Sequence, residues 1–117
     1  MKTIAVIGSR GYNDYEYFKE IIKFFTQNIE SYRYVSGGAK SGGDRLISDY
    51  CKEFGFEVIE HLPDYDKYPG KVAPLKRNHL IVEDADMLIA FTNGSSGTAY
   101  TLKLAEKKGI PIRIVNI

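Results

Sequence analysis

Five short apolar runs constrain this chain more than any other feature: Thr3 to Ile7, Tyr32 to Val35, Phe56 to Ile59, Met87 to Phe91 and Ile112 to Ile117. They read as apolar runs rather than alternating ones, and Thr3 to Ile7, ended by Gly8, reads as a strand buried on both faces. Each run but the last is followed by apolar residues at helical spacing. Phe18, Ile21, Ile22 and Phe25 mark a first helix over roughly Tyr15 to Asn28, with Asp14 as candidate N-cap. Leu46, Ile47, Tyr50, Cys51 and Phe54 mark a second, capped by Ser41 or Asp44 and stopped by Gly55. Pro74 suits the first turn of a third that carries Leu75, Leu80, Ile81 and Val82 towards Ala85. The fourth runs from about Thr98 to Lys108 with Leu102, Leu104 and Ala105 inward, and Gly109 stops it. This repetition predicts an α/β fold: one Rossmann-like doubly wound parallel sheet of about five strands with helices on both faces. No linker or internal repeat interrupts it, so residues 1–117 are expected to form a single domain.

In such a sheet, ligands bind beyond the carboxyl ends of the strands, where the strand order reverses. Three loops after strands combine glycine with small polar residues: Gly8 to Asp14, Ser36 to Asp44 and Thr92 to Thr98. With the strand order 3-2-1-4-5, all three line one crevice. The second loop is the richest, with Gly37, Gly38, Gly42 and Gly43 falling within seven residues. Glycine density of this kind lets backbone approach a ligand, and a helix N-terminus beyond it favours an anion. Candidate ligand-binding groups are the backbones of Gly8, Gly37, Gly38, Gly94 and Gly97 and the hydroxyls of Ser9, Ser36, Ser41, Ser95, Ser96 and Thr98. Asn93 lies in the third loop, while Arg10 and Arg77 are suited to fork onto phosphate or carboxylate oxygens. Asn78 beside Arg77 joins them. Asp44 is either an acceptor for ribose hydroxyls, an N-cap, or a partner of Arg45; Tyr12 either stacks on a base or packs on its own loop. The segment Leu62 to Lys71 is the longest irregular stretch, and long loops in compact domains are often functional.

Several chemistries are excluded by what is missing. Gly37 and Gly42 have P-loop spacing, but Gly43-Asp44 occupies the place of the Lys-Ser/Thr pair, so ATPase-type chemistry is not supported. There is neither a G-x-G-x-x-G fingerprint nor a G-x-S-x-G nucleophile elbow. His61 and His79 stand alone, and with one cysteine, Cys51, no metal cage or internal disulfide is expected. No cofactor is called for. Sixteen basic against fifteen acidic residues give a net charge of +1, which lacks the footprint of a nucleic-acid-binding domain. The first apolar run is too short for a signal peptide or membrane span, making a cytoplasmic protein without a membrane partner the expectation.

Taken together, Ile7-Gly8-Ser9-Arg10, Ser36 to Arg45, Gly70-Lys71 with Arg77-Asn78, and Gly97-Thr98 resemble the SLOG superfamily in order and spacing. That superfamily includes the LONELY GUY cytokinin-activating hydrolases and the DprA/Smf proteins, and the chain is more closely similar to the small YspA-type (YpsA-related) members. The resemblance implies a Rossmann-like fold, a pocket for nucleotides or nucleotide-derived ligands including ADP-ribose-type molecules, and a homo-oligomer. LONELY GUY enzymes carry P-G-G-x-G-T-x-x-E, whose glutamate serves N-glycosidic cleavage. Here the matching stretch, Asn93 to Thr101, places Thr101 at the glutamate position, where no carboxylate is available. The expected function is therefore binding of a nucleotide-type ligand as a sensor or sequestering protein. The alternative is a phosphoribohydrolase-like enzyme using another acid, such as Asp44 or Asp14, and DprA-like DNA binding is a weaker third reading.

Overall fold

The computed structural model describes residues 1–94 and 96–117, with Ser96 described by its backbone alone. Nine elements alternate along the chain: β1 (Lys2–Gly8), α1 (Tyr15–Thr26), β2 (Tyr32–Ser36), α2 (Gly42–Phe54), β3 (Val58–Glu60), α3 (Val72–Asp84), β4 (Met87–Thr92), α4 (Ser96–Lys108) and β5 (Ile112–Asn116). The strands form one parallel sheet in the order β3-β2-β1-β4-β5. The Rossmann-like architecture expected from the sequence is present, and the strand order is the one supposed in placing the crevice.

The period-2 geometry of the strands explains why the apolar runs are continuous. On β1, Ile4 and Val6 face one side, where Phe18 and Ile22 of α1 and Leu46, Ile47, Tyr50 and Cys51 of α2 complete a core. Ala5 and Ile7 face the other side and meet Ile81 and Val82 of α3 and Ala105 of α4. Chain reversal therefore falls between β1 and β4, which pair from Ile4↔Met87 to Gly8↔Phe91. Beyond their carboxyl ends the sheet splits α2 from α3 and α4, and a crevice opens there.

Local chemistry sets the element boundaries. The α1 helix ends at Thr26 rather than Asn28, and the Thr26 hydroxyl donates back to the Ile22 carbonyl at 2.8 Å. At its start, Asp14 accepts from the Tyr17 N–H as expected of an N-cap. β3 begins at Val58 rather than Phe56 because Phe56 is used to close α2. Gly55, at φ 76°, and Phe56 both donate their N–H groups to the Cys51 carbonyl, at 2.9 and 3.0 Å. The Phe56 ring then packs on Tyr32, Tyr34 and Tyr50. Finally, α3 starts at Val72, which puts Pro74 within its first turn. The Lys108 ammonium closes the far end of α3, donating to the carbonyls of Val82, Glu83 and Ala85 at 3.0, 2.7 and 2.7 Å. No helix of the described residues is long and apolar enough to cross a membrane.

Cys51 is 3% exposed, and burial pushes its thiol up to about 12. A buried, neutral thiol is a poor nucleophile. The native protein is accordingly expected to resist a chromogenic disulfide reagent at pH 8 and to release one equivalent of chromophore only in denaturant. Rapid labelling of the native state would show that α2 does not lie on the sheet as described.

Candidate functional site

The crevice at the β1–β4 switch point encloses about 540 Å³, within the range of small-molecule sites. Its walls come from all three glycine-containing loops and from the first turns of α3 and α4. Of the residues singled out from the sequence, Gly8, Ser9, Arg10, Gly37, Ser41, Asp44, Arg77, Asn78, Asn93, Gly97 and Thr98 all line it. Ser36, Gly38 and Gly94 do not stand among its lining residues. Ser95 lies outside the described residues; Ser96 supplies the first backbone unit of α4, and its hydroxyl is not described.

The second loop is organised differently from the expected cradle of outward N–H groups. Its N–H donors turn inward: Gly37 to Asp44 Oδ1 at 3.4 Å, Gly38 to Ser36 Oγ at 3.3 Å, and Ala39 to Asp44 Oδ2 at 3.1 Å. Ser36, fully buried, is thereby an internal strut and not a ligand-facing hydroxyl. Gly94 behaves likewise, its N–H donating to Thr92 Oγ1 at 2.9 Å. Asp44 neither caps α2 in the usual way nor pairs with Arg45, which instead meets Asp49 at 3.2 Å. Burial raises the Asp44 carboxyl above its ordinary value, opposed by the Ala39 N–H, by Arg77 and by the Gly37 N–H.

Arg77 reaches this loop from α3. Its Nη1 donates to the Gly37 carbonyl at 2.7 Å and its Nε to Asn78 Oδ1 at 2.9 Å. Burial draws the guanidinium below its ordinary value; Asp44 opposes this and Arg10 adds to it. Gly37 is what lets these groups meet: a Cβ there would overlap Arg77 Nη1 and lie 2.8 Å from Asp44 Oδ2. A different glycine contact sets the position of α2. A Cβ on Gly43 would lie 2.7 Å from the Gly8 nitrogen and 2.8 Å from its Cα, so helix and strand backbones touch directly. Gly42, at φ 66°, passes as closely over Ser9 and Arg10.

The first and third loops are tied by Ser9 Oγ, which donates to Asn93 Oδ1 at 2.9 Å. Arg10 is exposed and makes no hydrogen bond or ion pair with the described residues, so its guanidinium is available to a ligand. Tyr12 takes the packing role: its ring stacks on Phe91 with centroids 5.5 Å apart. Sequence reasoning missed the apolar part of the lining, Pro74, Leu75 and Ile81. Their helical spacing reads equally well as core, and only the position of α3 over the switch point distinguishes the two. Thr101, which stands where LONELY GUY enzymes carry their glutamate, lines the crevice with its hydroxyl donating to the Gly97 carbonyl at 3.2 Å. Among the described residues no cluster of His, Cys, Asp and Glu is placed to hold a metal ion.

No family model matches this chain, and no curated protein sequence does. A solved structure does: the chain is similar to the molybdenum cofactor binding protein from the phototrophic bacterium Rippkaea orientalis. The TM-score is 0.76 and the identity 21%, over 99% of this chain and 77% of that one. At that identity the likeness establishes the fold.

The two kinds of glycine contact are expected to respond differently to a methyl group. Gly43→Ala sets a Cβ against backbone that cannot step aside and should cost about 3 kcal/mol in urea unfolding. Gly37→Ala meets only side-chain ends and should cost about 1 kcal/mol or less, while displacing Arg77 from the crevice wall. Equal losses for the two would refute the direct α2–β1 contact.

Proposed function

We propose that this protein binds a nucleotide or nucleotide-derived ligand, a nucleoside phosphate or an ADP-ribose-type molecule, in the β1–β4 crevice, as a sensor or sequestering protein. The observation that carries this reading is Arg10, which has no partner among the described residues, on a crevice of small-molecule size into which the first turn of α4 also opens. An anion is favoured there by the guanidinium and by the positive end of α4. The apolar lining of Pro74, Leu75 and Ile81 suits the ring of a ligand that carries an anionic group at its other end. The loop resemblance to SLOG proteins, and to the small YspA-type members in particular, supports a nucleotide. Thr101 supports binding over turnover, since a threonine hydroxyl committed to Gly97 does not replace a carboxylate. The molybdenum cofactor binding protein of the same fold supports a small-molecule ligand more broadly, and adds that cofactor to the compounds worth testing.

Calorimetric titration with AMP, ADP, ADP-ribose and molybdenum cofactor tests the reading. At least one of the nucleotide-type ligands is expected to bind, and Arg10→Ala should weaken it by about 1–3 kcal/mol through loss of charge-assisted bonds. Unchanged affinity in Arg10→Ala removes that residue from the site; binding of the molybdenum cofactor alone overturns the nucleotide assignment.

One observation favours a second reading, N-glycosidic hydrolysis: the Asp44 carboxylate lines the crevice, and its burial raises its affinity for a proton. Incubation with AMP followed by chromatography for free adenine decides between the two. The binding reading expects no multiple turnover; sustained release of base that vanishes in Asp44→Asn would establish the enzyme.

A further inference from the structure

The wall formed by the second loop is an acceptor wall. Its three successive N–H groups, from Gly37 to Ala39, are satisfied from within by Asp44 and Ser36. The ionisable group this wall turns to the crevice is the carboxylate of Asp44, beside Gly37, Ala39 and Ser41. Each carboxylate oxygen receives one backbone N–H, and an ionised carboxylate accepts at about four lone-pair positions, so each oxygen keeps capacity for another donor. The guanidinium of Arg77 lies across Gly37 from it, bonded to the Gly37 carbonyl at 2.7 Å, and Arg10 lines the same crevice. Arg77 already serves as the carboxylate's cationic neighbour, so an ammonium group is a poor match. A phosphate oxygen, lacking a proton to donate, is repelled. The chemistry that fits is a neutral group with two adjacent hydrogen-bond donors, one for each oxygen.

We infer that Asp44 is a specificity-determining residue that receives a pair of adjacent neutral donors from the ligand and holds its anionic end away from the second loop. Two parts of a nucleotide offer such a pair: the vicinal hydroxyls of the sugar, and the adjacent ring and exocyclic N–H groups on the edge of a guanine-type base. The inference rests on the nucleotide reading of the crevice. It reverses the polarity expected of a glycine-rich loop that precedes a helix: this loop selects through an acceptor, and the anion belongs elsewhere in the crevice.

Titration of AMP against 2′,3′-dideoxy-AMP, and of GMP against IMP, tests it with and without Asp44→Asn. The wild-type protein is expected to prefer the first member of one pair by about tenfold or more, as hydrogen bonds to a charged group imply. A preference for AMP assigns the sugar diol to Asp44, and a preference for GMP assigns the base edge. In Asp44→Asn the preference should fall to about twofold or less, with the preferred ligand weakened and its partner little changed. If Asp44→Asn does not fold, Asp44→Glu, which keeps the charge but displaces it by one methylene, is expected to lose the same preference. Binding of both members of each pair with equal affinity overturns the inference alone, as does a preference that survives in the folded variant. Failure of all four nucleotides to bind overturns the nucleotide reading and the inference together.

Discussion

The backbone contact between Gly43 and Gly8 is the constraint from which the crevice follows. With no Cβ on either residue, the first turn of α2 lies directly on the end of β1, closer than any side chain would permit. This places Asp44, one residue on, within reach of the Gly37 and Ala39 N–H groups. The loop between β2 and α2 is thereby folded back on its own helix. Gly37, brought to the surface of that fold, accepts Arg77 from the opposite face of the sheet. A chain of three contacts thus joins β1, α2, the second loop and α3. It defines one side of the crevice before any ligand is considered.

Glycine therefore does two jobs here that composition does not separate. The sequence density of glycine from Gly37 to Gly43 suggests conformational freedom and outward N–H groups. In the structure, Gly43 and Gly37 are demanded by close approach, one to backbone and one to a guanidinium and a carboxylate. The difference lies in Asp44, whose reach back over several residues depends on where the helix begins. No local propensity encodes that. The runs of β1 and β4, by contrast, were legible because those strands are buried on both faces, and a buried parallel strand has little freedom in its composition. Sequential βα units leave few ways to arrange a parallel sheet, and the order supposed in placing the crevice is one of them.

The same reasoning explains the part of the site that was not legible. Loop polar residues such as Ser9, Arg10 and Asn93 announce themselves, since nothing in a connection requires them. Pro74, Leu75 and Ile81 do not, because a helix that covers a sheet and a helix that floors a crevice carry the same apolar stripe. Phe56 was read as strand for a related reason: its aromatic ring suits a strand, yet its N–H closes α2. In each case the decisive information is the partner across the fold. Thr101 shows the reverse. It stands out only through its position relative to Gly97 and Thr98, and the structure seats it on the crevice with its hydroxyl already engaged.

How much ordering a ligand must impose can be argued from which walls are pinned. The third helix is held at its middle by Arg77 on the Gly37 carbonyl and at its C-terminal end by Lys108. The third loop is tied to the first through Ser9 and Asn93. The second loop is fastened by Asp44. Against these fixed walls, Arg10 is exposed and followed by Gly11, near which a Cβ would meet nothing within 4 Å. Most of the crevice is therefore preorganised, and the side chain that must be immobilised on binding is chiefly that of Arg10. Fixing one long side chain costs about 0.5–1.5 kcal/mol, less than a charge-assisted pair of bonds to an anion returns. On the proposed reading, an anion reaching Arg10 would be held by a favourable margin even though the guanidinium has no partner among the described residues to orient it beforehand. The fastened Asp44 would then discriminate between ligands, and the exposed Arg10 would supply affinity for the anion the ligand carries.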